Sequence, residues 1–246
     1  MFESFKTFFA MYNLRSITTI LFLFISLKYG FCQSSEQYLD NTINVSEDNV
    51  PTEPSQYYFP KDMFPFVEME FFDLDDGNSS IGTETTSNKF DKSTIEWYSS
   101  YLFAMKEPLL FNKKLNKEVY RFIWLRTYDK PVAIRIEKGD TYKLFWKMLD
   151  GAGGYKPEAL ILEESKDISD KEWSEFTSLI TKSDFFNLPL GRDAMANDKS
   201  EWILEGNAMS KYHVTRQGAP TDGDFYNACN YLLQLTGLEI PADKKY

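Results

Sequence analysis

The sequence predicts an α+β domain built on an antiparallel sheet of hairpins, with two to three amphipathic helices packed on one face. Several segments of the second half alternate apolar and polar residues with the period of a β-strand, and turn residues separate them. Other segments repeat apolar residues three and four positions apart, as helices that cover a sheet do. The chain has 246 residues, of which 43% are hydrophobic and 17% aromatic, which is sufficient for a packed core.

The first strands are predicted between residues 119 and 162. Val119–Arg126 alternates two sets of side chains, and Val132–Ile136 and Tyr142–Met148 each place apolar residues on a common face. Lys138-Gly139-Asp140 separates the last two segments as a turn, so they form a hairpin. Leu160–Leu162 adds a short further strand.

A second hairpin contains His213, the only histidine of the chain. Its predicted strands are Trp202–Glu205 and Lys211–Thr215, joined across Gly206-Asn207. With that turn, the side chains that face the helices are Trp202, Leu204, Tyr212 and Val214. His213 then lies on the outer, half-exposed face, and a shift of the register by one residue would turn it inward.

Three segments have helical periodicity. Thr94–Met105 comes shortly before Pro108. Ser169–Lys182 begins with the Ser169 and Glu172 spacing of a capping box and has one apolar stripe. Asp224–Thr236 ends at Gly237, and its apolar stripe includes Cys229.

The first 33 residues are predicted to be a signal peptide. Arg15 supplies the positive region, and Ile17–Leu27 is an apolar run too short to span a bilayer. Cys32 leaves open a lipid anchor, although Phe31 stands where such a site prefers a small residue. We therefore expect export to the periplasm or the extracellular space, and a membrane contact only through lipidated Cys32. Either Met1 or Met11 could be the start.

Residues 34–91 are predicted to form an acidic flexible tether. They contain 13 acidic residues and two lysines, and four prolines interrupt them. An aromatic island at 57–72 is too apolar for a free linker, so we expect it to lie against the domain as an irregular strand or as a segment that wraps around it. Residues 92–246 are then the single α+β domain.

Composition argues against several classes of function. The formal net charge is −10 and no basic stripe is present, which argues against nucleic acid as a partner. One histidine and two cysteines do not make a zinc site, so we expect no metal and no cofactor. The glycine-rich run Asp150–Tyr155 is not followed by a helix, which favours a wide loop over a phosphate loop. No catalytic residue is assigned.

The candidate residues for contact with a ligand or partner are Trp202, Glu205, His213 and Arg216. The favoured hypothesis is a non-enzymatic binding or envelope-associated module whose partner is an unknown envelope protein or ligand. The alternative is a hydrolase that uses His213 with a carboxylate such as Glu205, because histidine has the pKa of a general base.

Several of these motifs resemble a group of uncharacterised exported proteins of Bacteroidetes-type bacteria. They are Trp202–Gly206, Tyr212–Val214, Asp150–Tyr155 and the helix with Trp173 and Phe176. The resemblance covers about residues 119–238 and implies no activity. In such proteins an Arg-Trp pair is expected before the proline that follows the Tyr-His-Val strand, whereas this chain has Arg216-Gln-Gly-Ala-Pro220.

Export is testable directly. A fusion of residues 1–33 to a reporter enzyme should leave the cytoplasm, because a positive start followed by an apolar run is what export machinery binds. Cell fractionation and the mass of the processed N-terminus provide the measurement, with cleavage expected near Cys32. A reporter that stays unprocessed in the cytosol would contradict the prediction.

Overall fold

The centre of the fold is a six-stranded antiparallel sheet. The computed structural model describes residues 34–73, 80–191, 200–241 and 244–245, with the backbone alone for residues 65–73 and 80–90. The strands of the large sheet lie in the order β6-β5-β4-β3-β7-β8. They are β3 (Glu118–Arg126), β4 (Val132–Lys138), β5 (Tyr142–Leu149), β6 (Leu160–Asp167), β7 (Ser200–Ala208) and β8 (Lys211–Gly218).

A separate two-stranded sheet consists of β1 (Pro65–Asp73) and β2 (Ser80–Phe90), which pair antiparallel. Three helices complete the described part of the fold: α1 (Lys92–Ala104), α2 (Asp170–Lys182) and α3 (Gly223–Thr236). The prediction of an α+β fold with an antiparallel sheet is confirmed. The structure extends the predicted short strand at 160–162 to residue 167.

The helix ends follow their local sequence signals. Ser169 and Glu172 form the predicted capping box at the start of α2, with the Ser169 Oγ accepting from the Glu172 amide. Asp91 caps α1 through the Thr94 amide. Helix α3 ends at Gly237, whose φ of 71° is in the left-handed region that glycine tolerates.

One surface of the large sheet, termed here the aromatic face, is covered by α2 and α3. Its central side chains are Tyr120, Phe122, Trp124, Trp202 and Leu204, all buried. Rings of α2 and of the turn that follows it surround Tyr120, at centroid distances of 5.3 Å for Phe176 and 6.0 Å for Phe185. From α3, Tyr226 contacts Trp202. This is the predicted packing of two helices on one face.

The opposite surface, termed here the charged face, is covered by α1 and by residues 34–64. Ile95, Tyr98 and Leu102 of α1 belong to one buried cluster with Val119 and Ile123 of the sheet. Residues of the segment before α1 are buried in the same cluster: Tyr38, Tyr58, Phe59, Met63 and Phe64.

The structure therefore differs from the predicted tether over residues 34–64. The apolar residues of this segment are too widely spaced to show a period, but most of them pack on the charged face. Asn49 fixes the segment further, since its side-chain amide donates to the Leu109 carbonyl at 2.7 Å and pairs with Asn112. The segment, termed here the strap, is part of the packed domain.

The β7–β8 hairpin has a different turn from the predicted one. Strand β7 continues through Gly206-Asn207, and the chain reverses at Met209-Ser210, where φ is 53° and 60° as in a two-residue type I′ turn. Glycine at position 206 lets the strand pack closely against the Tyr120 ring. A Cβ at this position would lie 2.6 Å from that ring. The register is shifted, so Trp202 and Leu204 share the aromatic face with His213 and Thr215, while Tyr212 and Val214 lie on the charged face.

The prediction for His213 is consequently wrong: its side chain is buried on the aromatic face and not half-exposed. The expectation that Tyr212 and Val214 share a face with Trp202 is also wrong. The interpretation of residues 1–33 as a signal peptide, with Cys32 as an optional anchor, lies outside the described residues. No helix in the described ranges is long and apolar enough to cross a membrane.

The glycine-rich run at residues 150–155 is a loop that packs on the turn between β3 and β4. The Gly153 amide donates to the Arg126 and Asp129 carbonyls, and its own carbonyl accepts from the Trp97 indole of α1. The Tyr101 hydroxyl contacts the carbonyls of Ala152 and Tyr155. The loop thus joins α1 to the sheet.

Gly153→Ala should destabilise the fold by about 1–3 kcal/mol, the usual range for overpacking a tight site. A Cβ at Gly153 would lie 2.7 Å from the backbone of Arg126, which does not move easily. Gly139→Ala is the matched control, because its Cβ would meet nothing closer than 3.7 Å. Denaturant unfolding of both variants gives the measurement, and equal stabilities would show that the loop does not need this close approach.

Candidate functional site

The four candidate residues from the sequence do not form one site, because they lie on opposite faces of the sheet. Trp202 and His213 are buried on the aromatic face, whereas Glu205 and Arg216 are buried on the charged face. Trp202 lies among the rings of Phe122, Trp124 and Tyr226, which makes it a core residue.

His213 has a core environment. Its ring contacts the Phe185 ring edge-on at 5.2 Å, its Nε2 atom is buried with no hydrogen-bond partner within the described structure, and its hydrogen bond is to the backbone of Leu188. Burial lowers the pKa of His213 from 6.5 to about 4, and the Leu188 contact offsets only part of this effect. The imidazole is therefore neutral at physiological pH.

The structure does not bring His213 together with the carboxylate that the hydrolase hypothesis assigned to it. His213 pairs with Gly206 across the hairpin. Glu205 precedes Gly206 in β7, so its side chain points to the other side of the sheet. Cys229 is buried in α3, and burial raises the pKa of its thiol well above the usual range, which leaves it unreactive.

The charged face contains a buried ionic network centred on Glu107. The Glu107 carboxylate accepts from the Arg135 Nε at 2.9 Å, and its oxygens lie 3.4 Å from the Lys147 Nζ and 3.6 Å from the Arg121 Nη1. Burial alone would favour the neutral acid, but the charges of Arg135, Arg121 and Lys147 outweigh it. They hold the pKa of Glu107 below its usual range, so it is ionised.

The C-terminus of α1 places Glu107 at the centre of this network. Lys106 adopts a left-handed φ of 53°, its amide donates to the Phe103 carbonyl, and the Glu107 amide donates to the Leu102 carbonyl, as in a Schellman motif. Lys147 donates to the carbonyls of Met105 and Lys106 at 2.9 and 3.1 Å. This positive charge at a helix C-terminus stabilises both the helix end and Glu107.

Arg121 connects Glu107 to Glu205 on the neighbouring strand. Both Arg121 and Glu205 are 0% exposed, and the Arg121 Nη2 donates to the Glu205 carboxylate. Glu205 also accepts from the Tyr212 hydroxyl at 2.7 Å, and Arg121 donates to the Pro108 carbonyl. Burial raises the pKa of Glu205, since Arg121 and Tyr212 offset only part of the desolvation.

The network reaches the surface in a cleft of about 930 Å³. Strand residues form its floor, where the Arg135 guanidinium stacks on the Phe145 ring at 4.3 Å beside Lys147. Its walls are the strap at residues 46–52, the segment after α1 between residues 106 and 117, and strand β6 at residues 163–165. Arg135 also bonds to Glu137, whose second oxygen accepts from Lys117 at 2.6 Å.

The lining of the cleft contains both charges in equal number. The basic residues are Lys106, Lys113, Lys117, Arg135 and Lys147, and the acidic residues are Glu47, Asp48, Glu137, Glu163 and Glu164. Within the described ranges, no group of three or more His, Cys, Asp or Glu side chains has the arrangement to hold a metal ion.

Sequence reasoning missed the residues of the network: Glu107, Arg121, Arg135 and Lys147. One signal in the sequence could have indicated two of them. Arg121 lies between Val119 and Ile123, and Arg135 between two isoleucines, so each strand has an arginine within an otherwise apolar stretch. Buried arginines require buried carboxylates as partners. Glu107 follows a helix as an ordinary loop residue and has no such signal.

Comparison with known proteins finds little similarity. No family model matches the chain. A region of the chain is 25% identical over 136 residues to a DNA ligase of Mycoplasmopsis pulmonis (strain UAB CTIP). The similar region is 51% of this chain and 20% of the ligase, so the chain spans about a fifth of the length of that relative.

The burial of His213 predicts a specific loss of stability in acid. The unfolded chain binds a proton at this residue below pH 6.5, whereas the folded chain does so only near pH 4. His213 therefore does not lower the free energy of unfolding above pH 6.5. As the pH decreases, this residue lowers the free energy of unfolding by up to about 3 kcal/mol at pH 4.

His213→Leu should remove this component. Denaturant unfolding of both proteins between pH 7 and pH 4 provides the comparison, since the carboxylates that titrate in this range are common to both and cancel in the difference. The stability of the wild type relative to the variant should decrease toward pH 4. Parallel pH profiles would contradict the buried, neutral state of His213.

Proposed function

We propose that this chain is an exported binding module, not an enzyme, and that its cleft binds a polypeptide segment or another ligand that has both charges. The observation that supports this most strongly is the rigid floor of the cleft. Arg135, Phe145 and Lys147 project from neighbouring strands, and buried Glu107 holds the two cationic groups in place.

A floor of this kind is prepared for binding before a ligand arrives. Long charged side chains normally lose conformational entropy when a ligand orders them. Here Lys147 is held by two backbone carbonyls and Arg135 by Glu107 and the Phe145 ring. Because their freedom is already lost on folding, a ligand would not have to order them, which favours affinity and specificity.

The composition of the cleft supports binding over catalysis. Its lining residues include no histidine and no cysteine. The cations around Glu107 keep the pKa of that carboxyl low, which makes it a weak proton acceptor. Glu137 is likewise engaged by Arg135 and Lys117. Each acidic group near the floor is therefore committed to a cation.

The charge balance of the lining supports the class of ligand. A polyanion such as nucleic acid needs an excess of clustered basic residues, because each phosphate must be neutralised. The cleft offers five basic and five acidic residues, with Phe145 on the floor. A polypeptide has both charges and apolar groups, and a cleft of about 930 Å³ is large enough for several residues of it.

The exported location is supported by the sequence of residues 1–33, with a positive residue followed by an apolar run. The partner would be a protein of the same compartment.

The proposal is tested by selecting peptides from a displayed random library with the full chain. Peptides that bind the wild type should lose roughly tenfold or more in affinity for Phe145→Ser, because an aromatic group on a pocket floor is a typical binding hot spot. Lys143→Ser is the matched control, since Lys143 is an exposed residue of the same strand outside the cleft.

Thermal melting would establish that both variants remain folded. The proposal fails if no peptide is enriched over a blank surface, or if the enriched peptides bind Phe145→Ser and the wild type equally.

A further inference from the structure

The two edges of the large sheet differ in how the chain covers them. The edge strand β8 is covered by the chain itself: Ser34 forms a β-bridge with Lys211, and the Arg216 amide donates to the Leu190 carbonyl. The other edge strand, β6, pairs only with β5 among the described strands. Its residues 163–167 are all exposed, and residues 163–165 also form one wall of the cleft.

The backbone groups of β6 that point away from the sheet can be identified from the pairing. The Ile168 amide donates to the Tyr142 carbonyl at 3.1 Å, so this pair is hydrogen-bonded to β5. In an antiparallel ladder, bonded residues alternate with residues whose N–H and C=O groups point outward. The outward groups therefore belong to Glu163, Ser165 and Asp167, and the side chains of these residues lie on the charged face. The alternation ends at the β-bulge between the Leu162 and Leu160 pairs.

The side chains of this edge discriminate between possible occupants. The outward-bonding positions provide two carboxylates, Glu163 and Asp167, and no basic residue. Glu163 also lies 3.1 Å from the Lys147 Nζ on β5, and its side chain is 58% exposed. An antiparallel pair of two β6 strands centred on Ser165 would place Glu163 opposite Asp167 on the charged face and Glu164 opposite Lys166 on the other face. A pair centred on Glu164 would oppose two Glu164 carboxylates. Like charges directly opposite are destabilising, so on the charged face a segment with basic residues fits better than a second copy of this chain.

We infer that strand β6 binds an extended, basic polypeptide segment by strand addition. This inference rests on the proposed function and describes the part of its ligand that lies along β6: a stretch with Lys or Arg at the two positions opposite Glu163 and Asp167. Main-chain hydrogen bonds to β6 supply affinity, and the alternate side chains that point to the charged face meet the cleft and supply specificity.

The test uses a fluorescein-labelled heptapeptide, Lys-Thr-Thr-Thr-Lys-Thr-Val, whose first, third and fifth residues lie opposite Asp167, Ser165 and Glu163 in antiparallel order. Fluorescence anisotropy with the full chain should show saturable binding. N-methylation at the third and fifth peptide residues should weaken binding roughly tenfold or more, because it removes two hydrogen bonds toward β6. N-methylation at the fourth and sixth residues, which point to solvent, should leave binding unchanged.

A charge variant gives an independent measurement. Asp167→Lys should weaken binding of the unmethylated peptide, whereas Asp224→Lys, an exposed acidic position on α3, should not. Equal binding of the two methylated peptides would overturn strand addition in favour of unordered charge attraction. No saturable binding of the unmethylated peptide would also overturn it. If library peptides still depend on Phe145 in either case, the proposed function stands and only the β6 inference fails.

Discussion

The ionised carboxylate of Glu107, buried between three cations, is the interaction on which the rest of the charged face depends. Burying charges is expensive, and removing one member of such a network leaves its partners uncompensated. Glu107 follows the end of α1, whereas its three cationic partners lie on three different strands: Arg121 on β3, Arg135 on β4 and Lys147 on β5. The network therefore specifies where α1 must lie on the sheet, since only one position of its C-terminus satisfies all three cations.

The same network explains why the domain needs the strap. Arg121 is fully buried, and part of its cover is the ring of Tyr58, 5.8 Å from the guanidinium carbon. Without residues 34–64, the apolar part of the charged face and the Arg121–Glu205 pair would be open to water, which weakens buried ionic interactions. The strap covers the part of the face near β3, β7 and β8 and leaves the part near β4, β5 and β6 as the cleft. Stability and the candidate binding surface thus share one structural cause.

Much of the architecture could be predicted from the sequence, because helices and hairpins have local signals. The capping box at Ser169, the stop at Gly237 and the turn before Tyr142 are all encoded within a few residues. The β7–β8 register could not be predicted in the same way, because Gly206-Asn207 is a stronger turn signal than Met209-Ser210. Tertiary packing decided it: the space that Gly206 leaves is filled by the Tyr120 ring. The candidate site was missed for a related reason, since Glu107 acquires its role only when α1 meets strands far away in the chain.

The strap also has a consequence for the order in which the molecule can be assembled. Its first residue pairs with Lys211, and Tyr38 packs on Tyr212, so the part of the domain synthesised first completes its contacts with a strand synthesised almost last. Contacts between such distant residues require a large loop to close, which slows folding. A chain of this design stays incomplete until nearly all of it is available. Its polypeptide is thus exposed for a long interval in a loosely structured form before the strap can close on β8.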